Sequence, residues 1–298
     1  MNERIIIVGF GPAGMACAIQ LKRMGLDPLI IEKNKPGGML YNANLIENYP
    51  GFPGGIPGDK LADLLSKQAS RYKINVVKDT VFNVEYEKGI FLLKGIAADY
   101  TCKILVIASG TTPIIPHNFP GDLFIKGLVH TDISRLRKTS GKVIGIVGAG
   151  DAAFDYSLTL AGKNNSVFIF NRGDRIKAMK VLQGKVLINN KIKYLDNTVV
   201  ESLEIQPGRG LQALCNSASS IQKYSLDYLI FATGRDPALE MIGDEFREKF
   251  GKLQDEHRLY LAGDVKNGIF RQLSIAVGDG VRTAMEIFQH ESDQQNRE

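Results

Sequence analysis

The chain has 298 residues, enough for about two domains of ordinary size. Apolar residues make up 44% and charged residues 23%, which excludes a disordered or fibrous chain, and a net charge of +5 without a clustered patch does not indicate nucleic acid. No apolar run reaches the roughly 18 residues of a membrane helix, and three scattered cysteines, Cys17, Cys102 and Cys215, exclude a zinc ligand set or disulfide framework. The expected partners therefore include neither nucleic acid nor membrane, and isolated thiols suit a reducing, cytoplasmic compartment. Glycine is over-represented at 31 residues, about 10% against a usual 7% or so, so turns are where to look first.

Arg4 to Val8 is a β-branched run that reads as a buried parallel strand, and it starts too early to leave room for a signal peptide. It runs into Gly9-Phe10-Gly11-Pro12-Ala13-Gly14, then a helical stretch from Ala13 to Met24 with Gly25 placed to end it. A second apolar run, Pro28 to Ile31, ends in Glu32, 18 residues past Gly14. This is a dinucleotide fingerprint in its context. Gly9 permits the tight turn, Gly11 the approach of a pyrophosphate and Gly14 close helix–strand packing, while Glu32 is placed to accept from a ribose hydroxyl. The phosphates would sit on the helix N-terminus, where unpaired N–H groups and the helix dipole favour anions.

The pattern recurs in the second half. Lys142 to Val147 is strand-like, followed by Gly148-Ala149-Gly150-Asp151-Ala152-Ala153 and a helical stretch from Ala152 to Leu160. The next strand, Ser166 to Phe170, ends in Asn171-Arg172 with no carboxylate. An acid there would repel a 2′-phosphate, whereas arginine suits one. Two fingerprints imply two nucleotides, the competing reading being a duplicated fold whose second site is empty. Val106-Ile-Ala-Ser-Gly110-Thr-Thr-Pro113 and Ile230-Phe-Ala-Thr-Gly234-Arg-Asp-Pro237 are near-identical strand–glycine–proline peptides flanking the second fingerprint. They predict an α/β chain of two nested Rossmann-like nucleotide-binding domains. The first is discontinuous, over 1–114 and 240–298, and 115–239 is inserted into it. The polar residues 291–298 read as a frayed end.

Further segments carry a resemblance: Gly37-Gly38-Met39-Leu40, Glu47-Asn48-Tyr-Pro-Gly-Phe-Pro53, Leu261-Ala-Gly-Asp264-Val, and Phe270-Arg271-Gln272 through Gly278-Asp-Gly280. With the two fingerprints, the chain resembles the low-molecular-weight thioredoxin reductases and related two-domain flavoproteins over nearly its whole length. The resemblance implies FAD in the first fold and NADPH in the second, with NADH the other candidate, and a homodimer. For FAD it implies the turn Gly9, Gly11, Pro12, Ala13 and Gly14, then Glu32 and Lys33, Gly38, Leu40 and Asn48, Val81, Ala108 and Gly110. It further implies Arg271 among the FAD residues, Asp264 on the ribityl chain and Gln272 at the isoalloxazine edge. For NADPH it implies Gly148, Gly150, Asp151 and Ala152, with Arg172 and Lys177 clasping the 2′-phosphate. No metal site is expected.

One departure bears on activity. Where the resemblance places a Cys-Ala-Thr-Cys-Asp run, this chain has Thr131-Asp132-Ile133-Ser134-Arg135, so both thiols are replaced by hydroxyls. Alcohols cannot form the disulfide that passes electrons onward. No catalytic side chain is then required of the protein, and His130, beside the lost dithiol, reads as a surface or loop residue. Three readings stay open. In the first, an FAD-dependent NAD(P)H oxidoreductase serves a non-dithiol acceptor, such as a quinone or an acidic electron-carrier protein of the ferredoxin or flavodoxin kind. Arg135, Arg137, Lys138, Lys142, Arg172, Arg175, Lys177 and Lys180 would steer such a carrier. The second is a reductase of a disulfide or sulfur compound whose thiols lie on a partner. The third is a flavin-binding subunit or sensor without turnover.

Overall fold

The computed structural model describes residues 2–295 apart from 117, 118, 120, 207, 209, 218 and 219. By contact the chain divides into two compact units, one of residues 1–41, 45–112 and 236–298, the other of 42–44 and 113–235. The second is thus nested within the first, as the paired linker peptides lead one to expect.

The first unit is built on a sheet in which strand Asn2–Val8 lies between Pro28–Glu32 and Asp99–Ile107, with Asn75–Lys78 beyond the former, all parallel. Asp99–Ile107 also carries Leu259–Leu261 in parallel and the antiparallel hairpin Val81–Glu87/Ile90–Gly95. Because successive side chains of a strand point to opposite faces, Ile5 and Ile7 enter one core and Ile6 and Val8 the other. Both faces being covered, the strand must be apolar throughout, which is why it was legible as an unbroken run.

On the first face lie helix Pro12–Arg23 and the long helix Leu273–Gln295, packed against each other. Their approach depends on Gly280: a methyl group there would stand 2.2 Å from the Ala13 carbonyl oxygen. That long helix corrects the expectation of a frayed end. It continues through Gln295 because Ile287 is fully buried and Glu291 is drawn into an ion pair with Arg4; of residues 291–298, the last three lie outside the described set.

In the second unit five parallel strands run in the order Val129–His130, Tyr228–Phe231, Val143–Val147, Ser166–Phe170, Ile192–Leu195. Helix Asp151–Ala161 packs on one face through Ala153, Phe154 and Leu160. The other core joins Leu229 and Phe231 to an antiparallel meander, Thr198–Gln206, Gly210–Ser217 and Ser220–Leu226, which the sequence reading did not resolve. Cys215 is a buried side chain of the meander's middle strand. His130 departs from expectation too: it ends a strand, and its Nε2 is buried without a hydrogen-bond partner. No helix among the described residues is long and apolar enough to cross a membrane.

Candidate functional site: two glycine-walled nucleotide clefts

In the first unit the strand-to-helix turn is shaped by what glycine lacks. Gly9 has φ +102°, and a methyl group on it would lie 2.4 Å from the Ala108 carbonyl oxygen. Gly14 is as tightly held, 2.0 Å from the Gly9 oxygen by the same measure, while Gly11 meets only Gly38 Cα at 4.0 Å. The first two therefore keep the helix against the sheet, and Gly11 keeps backbone bare where a ligand would approach. Gly11 caps helix Pro12–Arg23 without a side-chain hydrogen bond, leaving its first N–H groups for an anion.

Glu32 braces this turn. Its Oε2 accepts from the Phe10 N–H at 2.6 Å and its Oε1 from the Asn34 N–H at 2.7 Å. Glu32 lines a cavity of about 400 Å³ together with Lys33, Val81, Phe82 and Met241. Asp79, which the sequence reading missed, lines the same cavity beside Glu32, its N–H donating to the Glu32 carbonyl oxygen at 3.2 Å; its carboxylate accepts from the N–H groups of Thr80, Ala97 and Ala98 and from the Tyr100 hydroxyl, at 2.7–3.2 Å.

The remaining flavin candidates fall on other segments of the same unit. Gly38 opens the short 3-10 turn Gly38–Asn42 that buries Leu40. Gly110 follows strand Asp99–Ile107, beyond the buried Ala108, and accepts at its carbonyl from the Ala238 N–H. Asp264 stands in the turn after Leu259–Leu261, and Arg271 and Gln272 precede the last helix. The fold brings Asn48 and Gln272 together, Nδ2 of Asn48 donating to Oε1 of Gln272 at 2.8 Å. Asp279 is the second missed residue. It accepts from the Gly263 N–H at 3.1 Å and from Asn267 Nδ2 at 2.6 Å, with Lys266 Nζ at 3.4 Å, so it fixes the turn that presents Asp264. Its one visible signal is its place between Gly278 and Gly280.

The second unit repeats the device. Gly148 has φ +132°, and a methyl group there would lie 2.4 Å from the Ala232 oxygen, whereas one on Gly150 would meet nothing within 4 Å. Ala153, at the third position of the fingerprint, is fully buried in its helix. The cleft beside this turn has a volume of about 570 Å³ and is lined by Asp151, Ala152, Arg172, Arg175 and Lys177 at one end and by Thr131, Tyr156 and Phe119 elsewhere. The loop carrying the cations is stitched to the glycine turn. The N–H groups of Lys177 and Ala178 both donate to the Ala149 oxygen, at 2.9 and 3.0 Å, and Asp151 Oδ1 accepts from the Met179 N–H at 2.7 Å. Asn171 shapes the same loop, its Nδ2 donating to the Arg175 oxygen and the Tyr194 hydroxyl.

Thr131 lines this cleft, and exposed Ser134 donates its N–H to Asp132 Oδ1 at 2.8 Å in a local turn. The three cysteines are buried and free, and burial pushes each thiol far above its ordinary pKa, which keeps it protonated and unreactive. Among the described residues no group of His, Cys, Asp and Glu could hold a metal ion.

Two nested Rossmann-like folds, each with a glycine turn leading into a helix whose N-cap is a glycine without a side-chain hydrogen bond, define a two-nucleotide oxidoreductase. The chain belongs to the pyridine nucleotide-disulphide oxidoreductase family, whose pattern matches residues 3–280. It is 30% identical to a thioredoxin reductase of Buchnera aphidicola over 307 residues, covering 96% of each chain. Its fold is similar to that of Lactococcus lactis thioredoxin reductase, at TM-score 0.84 and 24% identity over 96% of this chain and 98% of that one. It is also similar to a Staphylococcus aureus bacillithiol disulfide reductase, at TM-score 0.78 and 18% identity over 99% of both. The family works with FAD and NADPH. The residues present fit both, since each turn has the glycine cradle that a side chain would fill.

Proposed function

We propose that the chain is an FAD-dependent NAD(P)H oxidoreductase whose acceptor is not a dithiol of its own. The observation that carries this reading is the pair Thr131 and Ser134 at the dithiol positions, in a chain whose thiols are all buried and raised in pKa. FAD, when bound, would supply the two-electron chemistry: acceptance of a hydride from the reduced nicotinamide and release of the two electrons singly to an iron–sulfur or flavin carrier or as a pair to a quinone. The protein's part is placement. Gly148, Gly150 and the N-terminus of helix Asp151–Ala161 hold the pyrophosphate, and Arg172 and Lys177 hold the 2′-phosphate. The bare turn at Gly11, braced by Glu32, holds the FAD pyrophosphate, and Asp264, Asn48 and Gln272 hold the rest of the flavin. An acidic carrier protein or a quinone is the acceptor class, and the enzyme works as a cytoplasmic homodimer.

A second reading, reduction of a disulfide or sulfur compound with thiols outside this chain, is favoured by the family and by the thioredoxin and bacillithiol reductases it is similar to. Anaerobic titration of the yellow protein separates the two. Bleaching by NADPH reversed by ferredoxin, flavodoxin or a quinone supports the first, and reversal only by a disulfide substrate or thiol-bearing partner supports the second. No bleaching by either nicotinamide overturns both and leaves a binding subunit. The double variant Thr131→Ala/Ser134→Ala should keep its rate of bleaching within about threefold of wild type. A loss above about tenfold, or some 1.4 kcal/mol of barrier, would show that these hydroxyls take part in the transfer.

A further inference from the structure

Tyr156 is a polar side chain of the second unit to which neither the glycine turn nor the cation loop gives a task. It is 5% exposed, its ring belongs to the core that also holds Ile133 and Leu136, and it lines the same cleft as Gly148 and Gly150. Its hydroxyl has no hydrogen-bond partner among the described residues. A buried hydroxyl left unpaired costs free energy, and the large majority of such groups in native structures are paired. One that lines a cleft is therefore a group for a ligand to pair.

Two observations place it in the cleft. Strand Val143–Val147 lies between Ser166–Phe170 and Tyr228–Phe231, with Val129–His130 beyond the latter. Arg172, Arg175 and Lys177 follow Ser166–Phe170, whereas Thr131 and Thr233-Gly234-Arg235 follow the strands on the other side, and all of them line the cleft. A dinucleotide that crosses the glycine turn with its 2′-phosphate on the cations therefore sends its other half toward Thr131 and Arg235. Tyr156 stands on that side. Burial pushes its phenol up to about 12, and the charged groups that act on it most are Asp132, Arg235, Asp155 and Arg137, not the cations at 172–177. The phenol is thus protonated at neutral pH and available as a donor.

Helix geometry sets the depth. Ala152 and Tyr156 are four residues apart on one face of helix Asp151–Ala161, and both line the cleft. A long helical side chain leans back over the preceding turn, here over Ala152 and toward the N-terminus, where the pyrophosphate would sit. The next group of the nucleotide on this side is the ribose that carries the nicotinamide. We propose that Tyr156 binds this nicotinamide-side ribose, its hydroxyl donating to a ribose oxygen. The contact presupposes the NAD(P)H reading of the cleft given above, and it adds to that reading a residue for the half of the nucleotide beyond the cations.

Tyr156→Phe keeps the ring and removes only the oxygen. Isothermal titration of the full chain with NADP+, 2′-phospho-ADP-ribose and 2′,5′-ADP separates the two halves, since the second keeps the ribose without the nicotinamide and the third lacks both. NAD+, ADP-ribose and ADP form the parallel series without the 2′-phosphate. The variant should bind the first two members of a series about fivefold more weakly, the loss of one neutral hydrogen bond, and the third within about 1.5-fold of wild type. Its melting transition without nucleotide should not fall, because the hydroxyl has no partner there to lose. A merely structural tyrosine would give the reverse, lower stability with unchanged affinities. Equal weakening of all three ligands, a loss confined to the complete dinucleotide, or unchanged affinities throughout would each overturn the ribose contact while leaving the nucleotide reading in place. Failure of the wild-type chain to bind either NADP+ or NAD+ would overturn both.

Discussion

Glu32→Ala isolates the brace beneath the first glycine turn. The side chain is 8% exposed, and its two oxygens each take one backbone N–H, from Phe10 and Asn34. These losses are unequal. Phe10 is 3% exposed, so its released N–H stays dry, at about 2–3 kcal/mol for a charge-assisted bond lost in the interior. Asn34 is exposed, so its N–H finds water and costs about 0.5 kcal/mol or less. Together these give about 3 kcal/mol, or a fall of about 6–10 °C in the melting transition of the FAD-free first unit, read by calorimetry. Glu32→Gln keeps one acceptor for Phe10 and turns its amide toward solvent-facing Asn34, so it should lose less than half as much.

The pair then separates bracing from ligand contact. If the carboxylate also accepts from a ribose hydroxyl, Glu32→Gln will raise the dissociation constant of FAD at least about tenfold, 1.4 kcal/mol, despite its nearly normal stability. The binding is followed by quenching of flavin fluorescence. A shift under about 2 °C for Glu32→Ala in the FAD-free protein would refute the reasoning about the brace. An unchanged FAD affinity in Glu32→Gln would refute the ribose contact alone.

The two glycines of the second turn should respond in opposite ways. Gly148→Ala is strained by its positive φ and by the Ala232 oxygen and should destabilise the second unit by about 2–4 kcal/mol in urea, whereas Gly150→Ala should leave stability within about 1 kcal/mol yet weaken NADPH binding in isothermal titration. Arg172→Ala should raise the dissociation constant of NADPH about ten- to a hundredfold and leave that of NADH within about twofold, the loss of one charge-assisted contact with a 2′-phosphate; equal losses for both nucleotides would remove Arg172 from that role. Burial pushes the Asp79 carboxyl up, but hydrogen bonds from Ala97, Tyr100, Thr80 and Ala98 outweigh it and leave its pKa below the ordinary value. A depressed folded value means the contribution is complete above about pH 4 and is lost as pH falls through it. The stability gap between wild type and Asp79→Asn in urea titrations should therefore be constant above about pH 5 and narrow as pH falls from about 4 to 2, and a gap unchanged down to about pH 2 would contradict the assignment.

What was legible in the sequence was steric. Gly9, Gly14 and Gly148 are required by carbonyl oxygens that a side chain would strike, and Ile5 to Val8 by two covered faces, so the composition itself carries the constraint. Polar pairing over long separations leaves no such trace. Asp79 with Tyr100, Asp279 with Gly263 and Arg4 with Glu291 are each ordinary residues until the chain is folded, and the end of the last helix was misjudged because its polar composition hid the last of these. The strand Ser220–Leu226 was missed for the opposite reason: nearly every side chain on it is exposed or half-exposed, so no period-two pattern exists to be read.

Asn171 shows where the two kinds of information meet. Its lack of charge suggested tolerance of a 2′-phosphate, a local argument about repulsion. Folded, its amide is engaged by the Arg175 oxygen and the Tyr194 hydroxyl, while Lys177 and Ala178 hang from the Ala149 oxygen. The cations proposed to grip the phosphate are thus carried on a loop anchored to the same turn that would hold the pyrophosphate. Nucleotide preference then depends on the spacing of two anchors as much as on the charges. An acid at position 171 would act twice over, by repelling the phosphate and by losing the donor that holds Arg175 in place.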